Sequence, residues 1–560
     1  MRWFGGSVSA GRAAIPVGAR MVWSDPPLWT AGPWPDRLVR TRDGEGARIT
    51  VFGTCSAQHA DLGEALTARN LASTVGDWAG TYTVVRLQSS GDVEIITDAA
   101  SACPLYMVRT SGGVVWGSSS FALSSLTRSR VDADWLASYL CDRQMPRADR
   151  SAWTGVVPIP PGHCLTLAAG TGAASASEWW VPAARSYEQA LLVVRRTLTE
   201  GVRTRVEGVT ASADLAGTDS TTLAVIAARY GPVATTTLHP EDVTEGGDLT
   251  YARALTIPSL SRTYFPLGPR HLPFAPGRDR LPVTDEPAPS TPLWSLFSEQ
   301  LRAVARTGTV CHLTGDGGDN LFLPPPTHLA DLARHGRLIR TTADAHAWAR
   351  LRRTSPWPVI RSALRGDAHR LARPWLATPP WAAAPAVTAG TGRNADAVLV
   401  ADVRGAARLA HADIQLAETL GVDLHNPYFD GALLEAVVSV PSWQRFSARR
   451  YKPVLIDAVG DLLPPSHRGR AAKGVFAADF HHGVRSHLAR VLSMADGRLA
   501  AMGLIEPAPL QAAIRAVALG ADTVWPSLLT VLGAEMWLES VEGAPATVWE
   551  RQRRLNDDRC

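Results

Sequence analysis

A chain of 560 residues exceeds the ~250–300 that a single hydrophobic core can serve, so at least two domains are expected. Apolar residues at 46% and charged residues at 19% are ordinary globular composition, and no run approaches the ~18–20 apolar residues of a membrane span. A net charge of +4 without a Lys/Arg run argues against nucleic acid as a partner. The six cysteines (Cys55, Cys103, Cys141, Cys164, Cys311 and Cys560) are scattered, with neither metal-ligand spacing nor a disulfide framework. The N-terminus carries Arg and Gly where a signal peptide needs an apolar block, so a cytoplasmic protein with reduced thiols is expected.

Residues 1 to about 185 read as β-rich. Short apolar or alternating runs at Ile49–Gly53, Thr81–Leu87, Val93–Thr97 and Val114–Ser118 are separated by Gly, Ser and Asp. Trp153–Leu167, with its PIPPGH stretch, reads as the extended close of this domain, and residues 177–186 as a linker punctuated by Pro182. From Tyr187 helix and strand alternate. Helices are expected over 187–206, Thr221–Tyr230 and Leu249–Leu255, and strands over Gly208–Leu215, 233–238, 261–267 and 309–314. Such alternation predicts a parallel sheet covered on both faces. Beyond Leu321 helices dominate. The chain thus divides into 1–185 and 186–560, an α/β protein with a β-rich N-terminal domain.

Two segments carry the strongest chemical signal. ADLAGTDSTTL (213–223) is a strand end, a small-residue turn and a helix start, which aims free N–H groups and a helix dipole at an anion such as pyrophosphate. Asp214, Ala216, Gly217, Thr218, Ser220 and Thr221 are its candidate nucleotide-binding residues. Asp219 would repel phosphate unless a divalent cation intervened, which points to a Mg²⁺–nucleotide site. Taken alone, the segment is equally a plain βα turn capped by Asp219 or Ser220. CHLTGDGGDNLF (311–322) repeats the theme. If the two strands are neighbours, their carboxyl ends face one crevice. Asp219 and Asp319 then converge as Mg²⁺ ligands, Gly315 and Gly317 border the nucleotide, and Asp316 is a candidate general base.

Lysine usage adds a third signal. Of 56 basic residues only Lys452 and Lys473 are lysines. Arginine replaces lysine wherever positive charge alone is wanted, but not where a compact ammonium is required.

These segments resemble, in order, the motifs of the asparagine synthetase superfamily. ADLAGTDSTTLA is similar to its SGGxDS pyrophosphate loop, and LTGDGGDNLF to its LSGxGxDExF segment. DLHNPYFD (423–430), RRYKPVLIDAVGDLLP (449–464) and RGRAAKGVF (468–476) resemble E-x-R-x-P-F-L-D, the Lys-helix-LP segment and R-x-K-x-x-F. VGDWAGTY (75–82), TDAASACPLY (97–106) and SSSFALSSL (118–126) resemble the class II glutamine amidotransferase domain, an Ntn-type fold. The resemblance implies a degenerate amidotransferase domain followed by an adenine-nucleotide α-hydrolase-like parallel sheet. Two departures stand out. The family's glutaminase uses a Cys directly after the initiator Met, whereas Arg2 stands here and the first cysteine is Cys55, so the amine is expected from elsewhere, most simply from the substrate itself. The first loop is one residue short of SGGxDS and lacks its serine.

An internal amine is the arrangement of β-lactam synthetases and of lasso peptide cyclases. The loop LTGDGGDNLFLPPPTHLADLARHGR, with HAWARLRRTSPWPVI and LGAEMWLES, resembles actinobacterial lasso cyclases more closely. The resemblance implies ATP and Mg²⁺ as cofactors and a precursor core peptide as substrate, with a leader-binding protein and a leader peptidase as partners. An Asp or Glu carboxylate of the peptide would attack the α-phosphorus of ATP, and the peptide's N-terminal amine would close the macrolactam. Lys473 would stabilise the developing negative charge, Lys452 would support the phosphates or the sheet end, and Asp423 would be a second candidate base. Trp294, Trp348 and Trp357 are candidate substrate walls, although tryptophan is more often core. A small-molecule amide synthetase and an inactive peptide-binding scaffold are the alternative readings.

Overall fold

The computed structural model describes residues 1–9, 13–323, 325–373, 378–383, 394–468, 477–521 and 525–552. In the N-terminal half two six-stranded antiparallel sheets face each other. One runs Val157–Ile159, Leu105–Thr110, Gly113–Gly117, Trp3–Ser9, Leu28–Ala31, Arg20–Trp23. The other runs Ala174–Glu178, His163–Leu167, Val93–Ile96, Gly80–Leu87, Ala47–Cys55, Val39–Gly44. Their inner faces share one apolar cluster, in which the Phe4 and Phe52 rings stack with centroids 4.2 Å apart. Helices His59–Thr67 and Leu71–Val75 cover one outer face, and Ser120–Thr127 and Ala133–Cys141 the other. Trp3–Ser9 is buried at every position. It therefore carries none of the apolar–polar alternation by which a half-buried strand is recognised in sequence.

A second fold begins at α1 (Tyr187–Val206), whose start is set by the reciprocal cap of Ser186 and Gln189. Its framework is β1 (Ala211–Asp214), α2 (Thr218–Ala227), β2 (Val233–Pro240), β3 (Leu260–Leu267), β4 (Cys311–Leu313), α3 (Gly318–Phe322), α4 (Ala395–Glu418), β5 (Asp423–His425) and α5 (Pro453–Val459). The five strands form one parallel sheet in the order β3-β2-β1-β4-β5. The order reverses at the β1/β4 pair, so the crevice for a ligand lies beyond the carboxyl ends of those two strands. The chain is therefore mixed α/β, with antiparallel sheets first and a parallel sheet after. No described helix is long and apolar enough to cross a membrane.

Several element boundaries differ from the sequence expectation by a few residues, and two of them bear on the site. β1 starts at Ala211 rather than Gly208, because Gly208 turns the chain at φ +75°. α2 starts at Thr218 rather than Thr221, with Gly217 as its N-cap, so Asp219 lies in the first turn rather than at the N-cap.

Three of the contacts that join the halves bear on the framework of the site and on the N-terminal core. Arg205 of α1 and Asp430 form a buried pair that also holds Thr81 of the N-terminal half. Arg2 and Arg37 reach across to Asp423. Finally, Trp549–Gln552 pairs antiparallel with Ala13–Pro16, seating the Trp549 ring 5.7 Å from Trp3 and 6.2 Å from Trp29.

Candidate active site

The turn after β1 and the turn after β4 touch. β1 and β4 pair in register, Ala211 beside Cys311 and Ala213 beside Leu313, so Asp214 and Thr314 leave the sheet together. A Cβ on Gly315 would stand 2.9 Å from the Ser220 nitrogen, and one on Gly318 would stand 2.4 Å from Asp219 Cγ. Gly317 takes φ +88° and lies so close to Phe429 that a Cβ would be 2.6 Å from its ring. The glycines of GDGGD thus let the second loop lie directly on the first turn of α2.

Asp219 and Asp319 meet at Lys452. The ammonium is 2.5 Å from each carboxylate oxygen of Asp219 and 2.6 Å from Asp319 Oδ1. The Lys452 side chain is completely buried, while the Asp319 side chain remains 45% exposed towards the crevice. Burial works against the charged ammonium, but the two carboxylates raise its pKa above the ordinary lysine value. Lys452 adopts φ +42° as N-cap of α5, a left-handed conformation unusual for a side chain with a Cβ, and Pro453 starts the helix behind it. The Tyr428 hydroxyl donates to the Asp219 carbonyl at 3.0 Å, tying the segment before α5 to the same turn.

The surrounding residues are organised by hydrogen bonds. Ser220 Oγ accepts from the Ala216 N–H at 3.1 Å and donates to the Gly217 carbonyl at 3.3 Å, which closes the turn. Thr218 and Thr221 are buried in the first turn of α2. Asp214 accepts from Gln300 Nε2 at 3.0 Å and faces His312 Nε2 at 3.3 Å, while Ser212 Oγ lies 2.7 Å from His312 Nδ1. Asp316 is exposed at the loop tip and accepts from Thr314 Oγ1 at 3.0 Å, and the same hydroxyl lies 2.6 Å from Asn426 Oδ1. Sequence reasoning misses the Ser212–His312–Asp214–Gln300 chain. Its only signal there is the histidine inside strand CHL, which gains meaning once the strand register is known.

The structure brings Asp214, Ala216, Gly217, Thr218, Asp219, Ser220, Thr221, Gly315, Gly317, Asp319 and Lys452 to one edge of the sheet, with Asp316 on the same loop. Lys473 lies outside the described residues. Asp423 departs from expectation. It pairs with Cys311 at the amino ends of β5 and β4, the opposite edge from the crevice, and is held by Arg2, by Arg37 at 2.8 Å and by His425 at 3.1 Å. Burial alone would raise its carboxyl, but His425 and Arg2 reverse this and hold it far below the usual carboxylate range. Burial lowers His425 in turn, so near neutral pH the arginines carry the effect. A carboxylate locked in this way is a poor proton acceptor, and Asp423 is a clasp between the halves. Trp294 is core, its Nε1 bonded to the Asp279 carbonyl at 3.0 Å, and Trp357 is 67% exposed. Trp348 lines a cavity of about 380 Å³ beside Asn320.

Because its folded pKa is depressed, Asp423 contributes stability above the unfolded value of ~4 and loses that contribution as pH falls towards the folded value. Urea midpoints of wild type and Asp423→Asn should therefore differ by a constant amount from pH 7 to about 5 and converge only below about 4. Convergence already at pH 6 would contradict the clasp.

Parallel strands with an acid- and glycine-lined crevice at their switch point define a doubly wound, nucleotide-type α/β domain. The model of the family described as asparagine synthase matches residues 193–539, and the chain belongs to that family. The family is one of ATP-dependent ligases that form amide bonds. No curated protein matches the chain. A structure of the allosteric regulatory enzyme of purine biosynthesis is 9% identical, with a TM-score of 0.18, and the match covers 43% of this chain and 64% of that one. Glutamine phosphoribosylpyrophosphate amidotransferase from B. subtilis, complexed with ADP and GMP, is 8% identical with a TM-score of 0.20, covering 58% and 82%. Likenesses at these TM-scores carry no functional weight.

Proposed function

We propose that the chain is an AMP-forming lasso peptide cyclase that takes its amine from its own substrate. The observation carrying this reading is the meeting of two acidic loop ends, 100 residues apart in sequence, around one buried lysine at the switch point of the sheet. The N-terminal residues 1–185 are read as a degenerate amidotransferase domain that hydrolyses no glutamine. Burial pushes the Cys55 thiol up to about 11 and the Cys103 and Cys311 thiols up to about 12, the reverse of what a thiolate nucleophile needs. The Arg2 side chain is engaged by Glu418 and Asp423.

The residues fit a magnesium–nucleotide. Two hard carboxylates converge on the Lys452 ammonium with further oxygen lone pairs left for a metal, and among the described residues no third His, Cys, Asp or Glu completes an all-protein metal cage. That is the donor set expected where phosphates and water complete the shell. Bound there, the metal would offset triphosphate charge, with Asp219 and Asp319 as its protein ligands. The turn 214–221 offers the phosphates the N–H groups at the start of the ten-residue helix α2. Lys452 holds both carboxylates in place. A substrate carboxylate attacks the α-phosphorus and releases pyrophosphate. The substrate amine then attacks the acyl carbon and releases AMP, with Asp316, exposed on its loop, as the first choice to take the proton. Placement of ring and tail before closure lowers the loop entropy that opposes cyclisation. The protein would act in the cytoplasm, on core peptide supplied by a leader-binding protein and a leader peptidase.

The test is pyrophosphate release with ATP, Mg²⁺ and a leaderless core peptide, together with the mass of the product. Loss of one water from the peptide is expected, and Asp319→Ala should slow release by about 100-fold or more. Equal background in both proteins would instead favour a peptide-binding scaffold, and turnover only with a small amino acid would favour a small-molecule amide synthetase.

A further inference from the structure

Lys452 fixes the side chain of Asp319, and the next residue is fixed from a second direction. Asn320 Nδ2 donates to Asp402 Oδ2 on α4 at 2.7 Å, the only side-chain hydrogen bond of Asn320 among the described residues. Packing does not take its place. Asn320 borders the cavity of about 380 Å³, whose lining also includes Gln144, Arg373 and Asp402, so open space lies beside it. The motif that this loop resembles has a glutamate at this position. Beside Asp402 a second carboxylate would repel, whereas the asparagine amide donates.

Asp402 is in turn held from the N-terminal half. Arg373, at the end of helix Ala368–Ala372, donates from Nη2 to Asp402 Oδ1 at 2.8 Å and to Gln144 Oε1 at 3.0 Å. Its Nη1 donates to Asp142. Asp142 caps the end of helix Ala133–Cys141 in the N-terminal half, and both it and Arg373 are buried. A planar guanidinium reaches these three acceptors in a fixed fork that a single ammonium cannot reproduce. The same segment presses on α4 itself. Gly405 lies about one turn beyond Asp402, and a Cβ there would stand 1.9 Å from the Gln144 carbonyl oxygen. Glycine weakens a helix interior, and this close approach accounts for its presence in α4.

We propose that Asp402 is a positioning residue for the metal edge, and that Arg373 couples its placement to the N-terminal half. The chain Asp142–Arg373–Asp402–Asn320 fixes the start of α3, and with it the direction in which Asp319 presents its carboxylate. Its effect passes through the backbone of residues 319 and 320. The proposal rests on the magnesium–nucleotide reading above, and it gives the N-terminal half a role that needs no glutaminase chemistry.

The test titrates full-length protein with Mn²⁺ in the presence of a non-hydrolysable ATP analogue, read by electron paramagnetic resonance of the free ion. Binding of the analogue in EDTA is measured beside it. Groups that orient a metal ligand typically contribute about 10–100-fold in affinity, and the low end applies because Asn320 is only the neighbour of a ligand. Asp402→Ala should therefore weaken Mn²⁺ about tenfold and leave metal-free analogue binding within about twofold of wild type. A generally damaged site would lose both. Asp402→Asn, whose amide oxygen still accepts from Asn320, should stay within about threefold. Asn320→Ala should match Asp402→Ala, and the double variant should be no worse than either single, since each removes the same bond. Arg373→Lys, which keeps the charge but reaches fewer acceptors, should weaken Mn²⁺ severalfold.

Unchanged Mn²⁺ affinity in Asp402→Ala, an equal loss of metal-free binding, or losses that add in the double variant overturns the positioning role. Unchanged affinity in Arg373→Lys overturns the coupling to the N-terminal half. No metal-dependent binding by wild type removes the nucleotide reading and the proposal together. Binding that follows the expected pattern, without pyrophosphate release on addition of core peptide and ATP, leaves the positioning role standing and removes the ligase reading.

Discussion

Replacing Lys452 by Met should reduce pyrophosphate release about 10²–10³-fold and destabilise the fold by about 3 kcal/mol. Both effects have one source. The ammonium sits 2.5 Å from the Asp219 oxygens and 2.6 Å from Asp319, in a position with no access to water. Without it Asp219, only 8% exposed, becomes a buried carboxylate facing a second one, and removal of one partner from a buried pair typically costs about 3–5 kcal/mol. The low end applies because Asp219 lies in the first turn of α2, where the helix dipole offsets part of the charge. Lys452→Arg should not restore activity, since a planar guanidinium cannot take the place of a compact ammonium clasped from two sides. Urea unfolding and the pyrophosphate assay measure the two effects independently. Activity within a few-fold of wild type would dismiss the lysine from the site.

Arg205→Met should cost about 3–5 kcal/mol in unfolding free energy, a large part of the ~5–15 kcal/mol typical of a domain. Arg205 and Asp430 are 1% and 2% exposed. The guanidinium donates to both Asp430 oxygens, at 2.5 and 2.9 Å, and to the Gly201 carbonyl at 2.7 Å. Its removal leaves Asp430 with the Thr81 hydroxyl at 3.0 Å. Gly201 belongs to the same arrangement, because a Cβ there would stand 2.4 Å from Asp430 Oδ2. The double change Arg205→Met with Asp430→Leu should be markedly less damaging than Arg205→Met alone, since it removes both charges together. A double variant as unstable as the sum of its singles would mean that shape, not charge, sets the cost. Because Thr81 bonds to both partners, the single variant should also loosen the contact between the halves, which protease susceptibility of residues 178–187 would register.

Much of this framework can be read in the sequence, for reasons particular to each part. Helix 187–206 is legible because Ser186 and Gln189 form a reciprocal cap and the apolar positions fall at helical spacing. The two nucleotide-side loops are legible because the same pattern of glycines and acids after a short strand occurs twice, which either loop alone would not establish. Where local sequence misleads, a distant partner decides the matter. Asp219 looks like a helix cap in isolation, yet its carboxylate belongs to Lys452, 233 residues away. Asp423 looks like part of the catalytic motif, yet it is claimed by Arg2, 421 residues away. Trp3–Ser9 escapes notice because a strand buried on both faces shows no period of two.

The pairing of Trp549–Gln552 with Ala13–Pro16 has a consequence for synthesis on the ribosome. Ala13–Pro16 leaves the ribosome several hundred residues before its partner strand, so its edge stays open while the residues between them are made. An open edge is a template for unwanted association. Truncation after residue 545 should therefore injure the sheet of the N-terminal half, lowering soluble yield by uncovering Trp3 and Trp29, although the residues removed are far from it in sequence.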